Sequence, residues 1–296
     1  MHSRTRWLSI SGAIATILAS QAWAQDQSSG SDGSELDQEG LLGSLWVEAG
    51  ADWVSEYWWR GYAIEAGGLT VQPWIELGGP IYESEDEDGL WLEAFGGVWA
   101  SWQSQETDAA DDPQWWYETD YYAGLTLGFS QFEFELLYTL YTYPAPDFDD
   151  VREIGLTFGV DLENEEGFGR WIGDPRLGIF FELDNSNVGD GVEEAAYLQL
   201  DLGPEFELSD EGTILSIPVS LGASLDDYYI DNAGDDETFG FLQVGAVVNI
   251  PLAWSDSVDW TLSIGAHALF LGGNTDEFND DDEFDGFAII GLTASF

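Results

Sequence analysis

The sequence predicts an all-β fold: a transmembrane, antiparallel, up-and-down β-barrel of about twelve strands. Three observations carry this. Apolar and polar residues alternate with period two in segment after segment. Long acidic links alternate with short ones along the chain. No apolar run beyond the N-terminal segment is long enough for a membrane helix, and a membrane protein without such helices must close a sheet so that every backbone group finds a partner in lipid.

The N-terminal segment stands apart from the barrel. His2, Arg4 and Arg6 precede a run of apolar and small residues from Leu8 to Ala19, and Ala22-Trp23-Ala24 supplies a small-residue cleavage pattern. That order reads as a signal peptide over residues 1–24, cleaved after Ala24 for export by the secretory pathway. Residues 25–43 read as a polar, flexible segment, and residues 44–296 as the barrel.

The alternation is explicit. Tyr121, Ala123, Leu125, Leu127 and Phe129 interleave with Asp120, Gly124, Thr126 and Gly128, and Ile154, Leu156, Phe158 and Val160 with Glu153, Gly155, Thr157 and Gly159. Successive strand side chains point to opposite faces, so one face of each segment is apolar and the other polar or small. Twelve such segments are expected at 45–54, 69–81, 90–102, 115–129, 131–143, 152–162, 175–184, 194–206, 213–225, 238–250, 258–271 and 286–296. Pro73 and Pro218 fall inside two of them and predict a bulge or break at each, because proline lacks the ladder donor. Trp115, Tyr117, Tyr141, Tyr143, Trp254 and Trp260 lie near strand ends, where interfacial girdles belong. An even strand number puts both termini on the periplasmic side and the longer links outside. The 163–174 link, long where a short turn belongs, reads as an extended periplasmic turn.

Charge narrows the function. After Ala24, 58 acids face only Arg60, Arg152, Arg170 and Arg176, a formal charge of −54 with no lysine. Such a field repels nucleic acid, so no nucleic-acid partner is expected. The 15% aromatic content argues against disorder, which acid-rich chains otherwise favour. Without cysteine, thiolate metal sites and cysteine nucleophiles are excluded.

Parity assigns to the lumen Glu48, Asp52, Glu76, Glu93, Glu118, Asp120, Glu133, Glu135, Glu153, Asp161, Glu182, Asp201 and His267. Carboxylate rings favour cations, so these are the pore-lining candidates of a cation-preferring diffusion channel; a lumen that merely needs polar side chains is the bland alternative. Arg60, flanked by Trp58, Trp59 and Gly61 in the first external link, is the candidate for a constriction through charge-assisted bonds to lumen carboxylates. Its alternative role is to order the loop by packing on aromatic rings. The acidic links, among them Asp235-Asp236-Glu237 and Asp280-Asp281-Asp282-Glu283, read as solvated, mutually repelling loops whose charge external salt would screen. None has a complete EF-hand spacing.

No enzyme is expected, and neither a catalytic residue, a cofactor nor a metal site is assigned. His267 is the one histidine after the leader, on the strand that carries Thr261 and Ser263, and no G-x-S-x-G segment occurs.

Two motifs carry a resemblance: Ser55-Glu56-Tyr57-Trp58-Trp59-Arg60-Gly61 followed by Val71-Gln72, and Gly97-Val98-Trp99-Ala100-Ser101. Over residues 50–101 the chain resembles the TorF-like family of bacterial outer-membrane porins. The ending Gly291-Leu292-Thr293-Ala294-Ser295-Phe296 is similar to the aromatic-ended last strand that outer-membrane assembly machinery recognises. The resemblance implies the outer membrane of a Gram-negative-type bacterium, with lipid, the assembly machinery, and cations or small solutes as partners. A non-conducting structural or adhesive barrel acting through its acidic external loops is the alternative.

Overall fold

The computed structural model describes residues 45–84, 89–105, 115–144, 149–162, 169–184, 194–231 and 233–296. The expected leader, the 25–43 segment and residues 163–168 of the expected extended turn lie outside them.

The strands are β1 (Trp46–Val54), β2 (Tyr57–Trp59), β3 (Tyr62–Glu65), β4 (Thr70–Glu83), β5 (Trp91–Gln103), β6 (Trp116–Phe129), β7 (Phe132–Thr142) and β8 (Val151–Val160). Then follow β9 (Arg176–Asp184), β10 (Ala195–Leu202), β11 (Glu205–Glu207), β12 (Ile214–Ser216), β13 (Val219–Asp226), β14 (Phe239–Leu252), β15 (Asp259–Leu271) and β16 (Phe284–Ser295). Twelve of them, all but β2, β3, β11 and β12, form a closed antiparallel barrel. Each pairs with its neighbour in chain order, and β1 pairs with both β4 and β16, which leaves no free edge.

Segment boundaries agree with the alternation to within a few residues. Two expected strands are interrupted. β10 and β11 are one path broken at Gly203-Pro204, and β12 and β13 are one path broken at Ile217-Pro218. The break at Pro218 fits its missing N–H. Pro73 behaves otherwise: β4 runs through it unbroken, in register with Ala51 of β1. Toward β5, registered pairing passes from Val71↔Trp102 to Trp74↔Trp99 without a shift, and the bulge of this pair falls at Pro80/Tyr82 instead. Proline is thus accommodated by dropping ladder pairs rather than by bulging the strand.

The barrel has a turn end and a loop end. At the turn end β6 and β7 are joined by Ser130-Gln131, with Ser130 at φ +53°. The expected extended turn holds a short helix, Gly169–Ile172, whose Ile172 carbonyl accepts from the Gly203 amide at 3.2 Å, so it packs on the β10–β11 break.

The outer face is apolar, with Ile75, Leu77, Phe134, Leu136, Leu156, Ile264 and Ile290 all exposed. Aromatic rings flank this belt: Trp102, Trp115 and Trp116 at the loop end, Tyr82, Trp254 and Phe296 at the turn end. Tyr117 and Tyr141, expected in a girdle, are instead buried inside the barrel, with Tyr143 packed against the same cluster. Many inward positions are glycine, and a ring from a neighbouring strand lies in the space a Cβ would take: Trp74 over Gly50, Trp46 over Gly78, Tyr122 over Gly97 and Phe95 over Gly124. The large rings therefore lie along the wall.

Candidate functional site

The first long link is not an external loop. β2 and β3 form a hairpin whose tip, Arg60-Gly61, has positive φ at both residues, +45° and +91°. Positive φ at both central residues is the geometry that matches the twist of paired strands. Glycine adopts it freely, whereas arginine there carries backbone strain of about 1 kcal/mol. The hairpin lies inside the barrel, since its residues touch inward side chains from strands all around the wall.

Arg60 is the centre of these contacts. Its guanidinium makes two bonds to Glu153 of β8, Nη1 to Oε2 at 2.6 Å and Nη2 to Oε1 at 3.0 Å, and both side chains are 1% exposed. Four rings surround it, with centroids at 4.6 Å for Trp59, 4.8 Å for Phe180, 4.3 Å for Tyr197 and 5.5 Å for Tyr228. Nη1 also donates to the Tyr228 hydroxyl at 2.9 Å, and the Tyr141 hydroxyl donates to Glu153 at 3.0 Å. Burial by itself lowers the Arg60 pKa, but the Glu153 carboxylate outweighs it and holds the guanidinium charged, well above its ordinary value. The two sequence-level alternatives for Arg60, a carboxylate partner and an aromatic pack, occur together.

The rest of the hairpin is fixed on two sides. Toward β5–β7, the Tyr57 hydroxyl donates to Glu118 at 2.8 Å, Tyr57 packs on Trp99, and Trp59 meets Tyr141 edge-on. Toward β14–β16, the helix Gly273–Phe278 and residues 228–230 close over it. Tyr62 donates to Asn274 at 2.5 Å, the Asn279 amide donates to the Gly61 carbonyl at 2.8 Å, and the Tyr229 hydroxyl donates to the Arg60 carbonyl at 2.9 Å. Asn274 in turn donates to the Ile230 carbonyl. Val54, Trp58, Phe241, Leu269, Phe287 and Ile289 complete the apolar packing there.

All the lumen carboxylates assigned by parity lie on the inward-facing register, in two tiers. Asp52, Glu118, Asp120, Glu153 and Glu182 sit toward the loop end and are buried. Glu48, Glu76, Glu93, Glu133, Glu135 and Asp161 sit toward the turn end. Glu76 feels the charges of Glu48, Glu93 and Glu135, and Glu133 those of Glu93, Glu135 and Asp161, so the tier converges across the lumen. Arg176 pairs with Glu133 at 3.0 Å, both side chains near one-fifth exposed. Asp201 stands apart, accepting from Gln199 at 2.9 Å and from Ser220.

His267 is buried against Phe287, ring centroids 4.8 Å apart, with Nδ1 3.0 Å from the Gln243 amide nitrogen. Ser263 donates to Asn249 at 2.7 Å, so the two residues form no dyad. Among the described residues no group of three or more His, Cys, Asp or Glu is arranged to hold a metal, and no helix is long and apolar enough to cross a membrane.

Sequence reasoning missed the inward aromatics, above all Phe180, Tyr197 and Tyr228. A signal existed for some of them, because Trp74, Trp99 and Tyr197 share strand parity with the lumen polar residues Gln72, Ser101 and Gln199.

No protein-family model matches the chain, and no curated protein matches it. Among solved structures it is similar to the translocator domain of the autotransporter NalP from Neisseria meningitidis, at 12% identity and TM-score 0.40, over 86% of this chain and 88% of that one. The transport unit of the autotransporter AIDA-I from Escherichia coli is similar at 11% identity and TM-score 0.41, over 90% and 91%. Salmonella typhi OmpF, in complex with daunomycin, is similar at 10% identity and TM-score 0.37, over 85% and 97%. Values this low carry no argument about function.

Proposed function

We propose that this chain is an exported outer-membrane barrel that acts as a narrow, cation-preferring diffusion channel, with its own hairpin seated in the outer half of the lumen. The membrane reading is supported by an exposed apolar belt with aromatic rims at both ends, and by strands of eight to fourteen residues closed on themselves. It makes the loop end external and the turn end periplasmic, and Phe296 the signal for the assembly machinery. The resemblance of residues 50–101 to TorF-like porins points the same way.

One observation carries the selectivity: the inward wall carries carboxylates on eight of its twelve strands, β1 and β4 to β10, and among the described residues the inward arginines Arg60 and Arg176 are already bound to Glu153 and Glu133. A low-dielectric wall focuses that field, raises local cation concentration and rejects anions. The assay is a planar bilayer holding the purified mature barrel under a potassium chloride gradient. Small steps with a reversal potential toward the potassium equilibrium value are expected, and a value toward the chloride side would defeat the proposal.

The alternative is a non-conducting barrel that works through its acidic external loops. The density of packing around Arg60 favours it, and its signature in the same bilayer is an absence of steps.

A further inference from the structure

The pocket that holds Arg60 is built by the wall more than by the hairpin. Of the four rings around the guanidinium only Trp59 belongs to the hairpin; Phe180 stands on β9, Tyr197 on β10 and Tyr228 on the link after β13. The carboxylate, Glu153, stands on β8. Phe180 and Tyr197 are registered partners on adjacent strands, and the Tyr197 and Tyr228 rings meet at 4.8 Å.

Each of these groups is also held by a contact that does not involve Arg60. The Tyr141 hydroxyl donates to Glu153 at 3.0 Å, and the Tyr197 hydroxyl donates to Gln199 at 2.7 Å. The Tyr228 amide donates to Ser224 Oγ at 3.1 Å. The Phe180 ring lies in the space that side chains at Gly155 and Gly178 would take. These contacts orient a carboxylate fork and three π faces independently of the guanidinium, which is the preorganised form of a guanidinium receptor. The carboxylate charge is in excess as well. Glu182 is the registered partner of Glu153, is 2% exposed, and like Glu153 acts electrostatically on Tyr228. Asp226 and Asp227, which lead into Tyr228, are exposed, as are Asp235 and Asp236 on the same link, and their field gathers cations at this end of the barrel. The space that a ligand would use is the space that Arg60 fills. Arg60 fills it from a backbone at φ +45°, so departure of the tip relieves strain.

We propose that the cage of Glu153, Phe180, Tyr197 and Tyr228 is a binding site for alkylguanidinium solutes, and that Arg60 is its tethered occupant, an autoinhibitory contact. The tether gives Arg60 an effective concentration on the order of millimolar or above, so it keeps the site until a free guanidinium is in large excess. Displacement frees the hairpin tip and leaves the ladder of the wall intact. The site goes beyond the channel reading and does not rest on conduction.

Two measurements on the detergent-solubilised mature barrel test it. In isothermal titration calorimetry, methylguanidinium should bind Arg60→Ala saturably, one to one, with a dissociation constant on the order of millimolar, and should not bind Arg60→Ala/Glu153→Gln. Methylammonium, which lacks the planar fork, should bind Arg60→Ala severalfold more weakly. In the wild-type barrel, methylguanidinium at about 100 mM should speed amide hydrogen exchange of residues 57–65 severalfold, read by mass spectrometry, while β14 and β15 exchange as before. No saturable binding to Arg60→Ala, or equal binding after Glu153→Gln, overturns the site. Binding to Arg60→Ala with the wild-type hairpin unmoved overturns the autoinhibition. Should Arg60→Ala fail to fold, the wild-type exchange decides alone, and an unmoved hairpin overturns the proposal. None of these readouts depends on current, so failure here is distinct from failure of the channel reading.

Discussion

Replacing Arg60 by methionine removes the charge and keeps most of the side-chain length. Glu153 then stays in a site where its side chain is 1% exposed, with only the Tyr141 hydroxyl of the two bonding partners described for it. Breaking a buried ion pair from one side costs about 3–5 kcal/mol, because the remaining charge is left uncompensated. The lost stacking on Trp59, Phe180, Tyr197 and Tyr228 adds to this. The cost falls on the seated state of the hairpin, not on the wall, since the β8 ladder to β7 and β9 is independent of Arg60. At about 1.4 kcal/mol per tenfold, the seated population relative to the released one drops by roughly two to three and a half powers of ten. Single-channel recordings of Arg60→Met should therefore show larger and noisier steps than wild type, with strand content by circular dichroism unchanged. Arg60→Lys, which keeps the charge but not the planar fork, should fall between the two. The double variant Arg60→Met/Glu153→Gln removes both charges and should recover most of the seated state. Wild-type step size in Arg60→Met, or no recovery in the double variant, would refute the assignment of the ion pair as the hairpin's anchor.

Two further outcomes follow from geometry. Gly61→Ala places a Cβ at φ +91°, 2.9 Å from Thr275 Cγ2 and 3.2 Å from Phe241 Cβ, so it should loosen the hairpin in the same direction as Arg60→Met, read as raised protease cleavage near residue 61 in the folded barrel. Leu77→Arg, on the exposed face near the middle of β4, should lower folding stability in lipid vesicles by about 2–4 kcal/mol in urea titrations. A null result there would remove the lipid-facing assignment of that face.

The wall was legible because a strand's period is short and strict. Leu125, Leu127 and Phe129 alternate with Gly124, Thr126 and Gly128, so the two faces of the strand meet different surroundings, and that alternation constrains the register of β6 with β5 and β7. The hairpin was hidden by the same rule. Tyr57-Trp58-Trp59 and Tyr62-Ala63-Ile64 are too short to declare a period, and neither is amphipathic in the way a lipid-facing strand is. Both of its sides are covered, so apolarity on both was the available signal. Tyr117 and Tyr141 were read as girdle residues because of their position near strand ends. Parity places Tyr141 inward, with Leu137 and Thr139, whereas Tyr117 has the outward parity of Tyr121 and is buried where the pairing of β6 with β5 shifts register between Ser101 and Trp102. The strand breaks needed tertiary information: Pro73 and Pro218 are alike in sequence, and only the neighbouring pairing decides which one interrupts a strand.

The aromatic content follows from the barrel's size. Eight strands enclose a lumen that wall side chains fill by themselves, and sixteen leave an open channel. Twelve leave a space too wide for one layer of side chains and too narrow for bulk water beside large rings. This chain lays rings flat over inward glycines, as Trp74 over Gly50 and Phe95 over Gly124, which thins the wall layer and keeps room at the axis. That room is what the hairpin occupies. An apolar hairpin alone would close it; a buried arginine at the tip requires a carboxylate on the wall, and Glu153 fixes both the depth and the rotation of the insert through two bonds in one plane. The backbone strain at Arg60 is consistent with that requirement, since an asparagine or glycine would suit the turn better but could not reach Glu153.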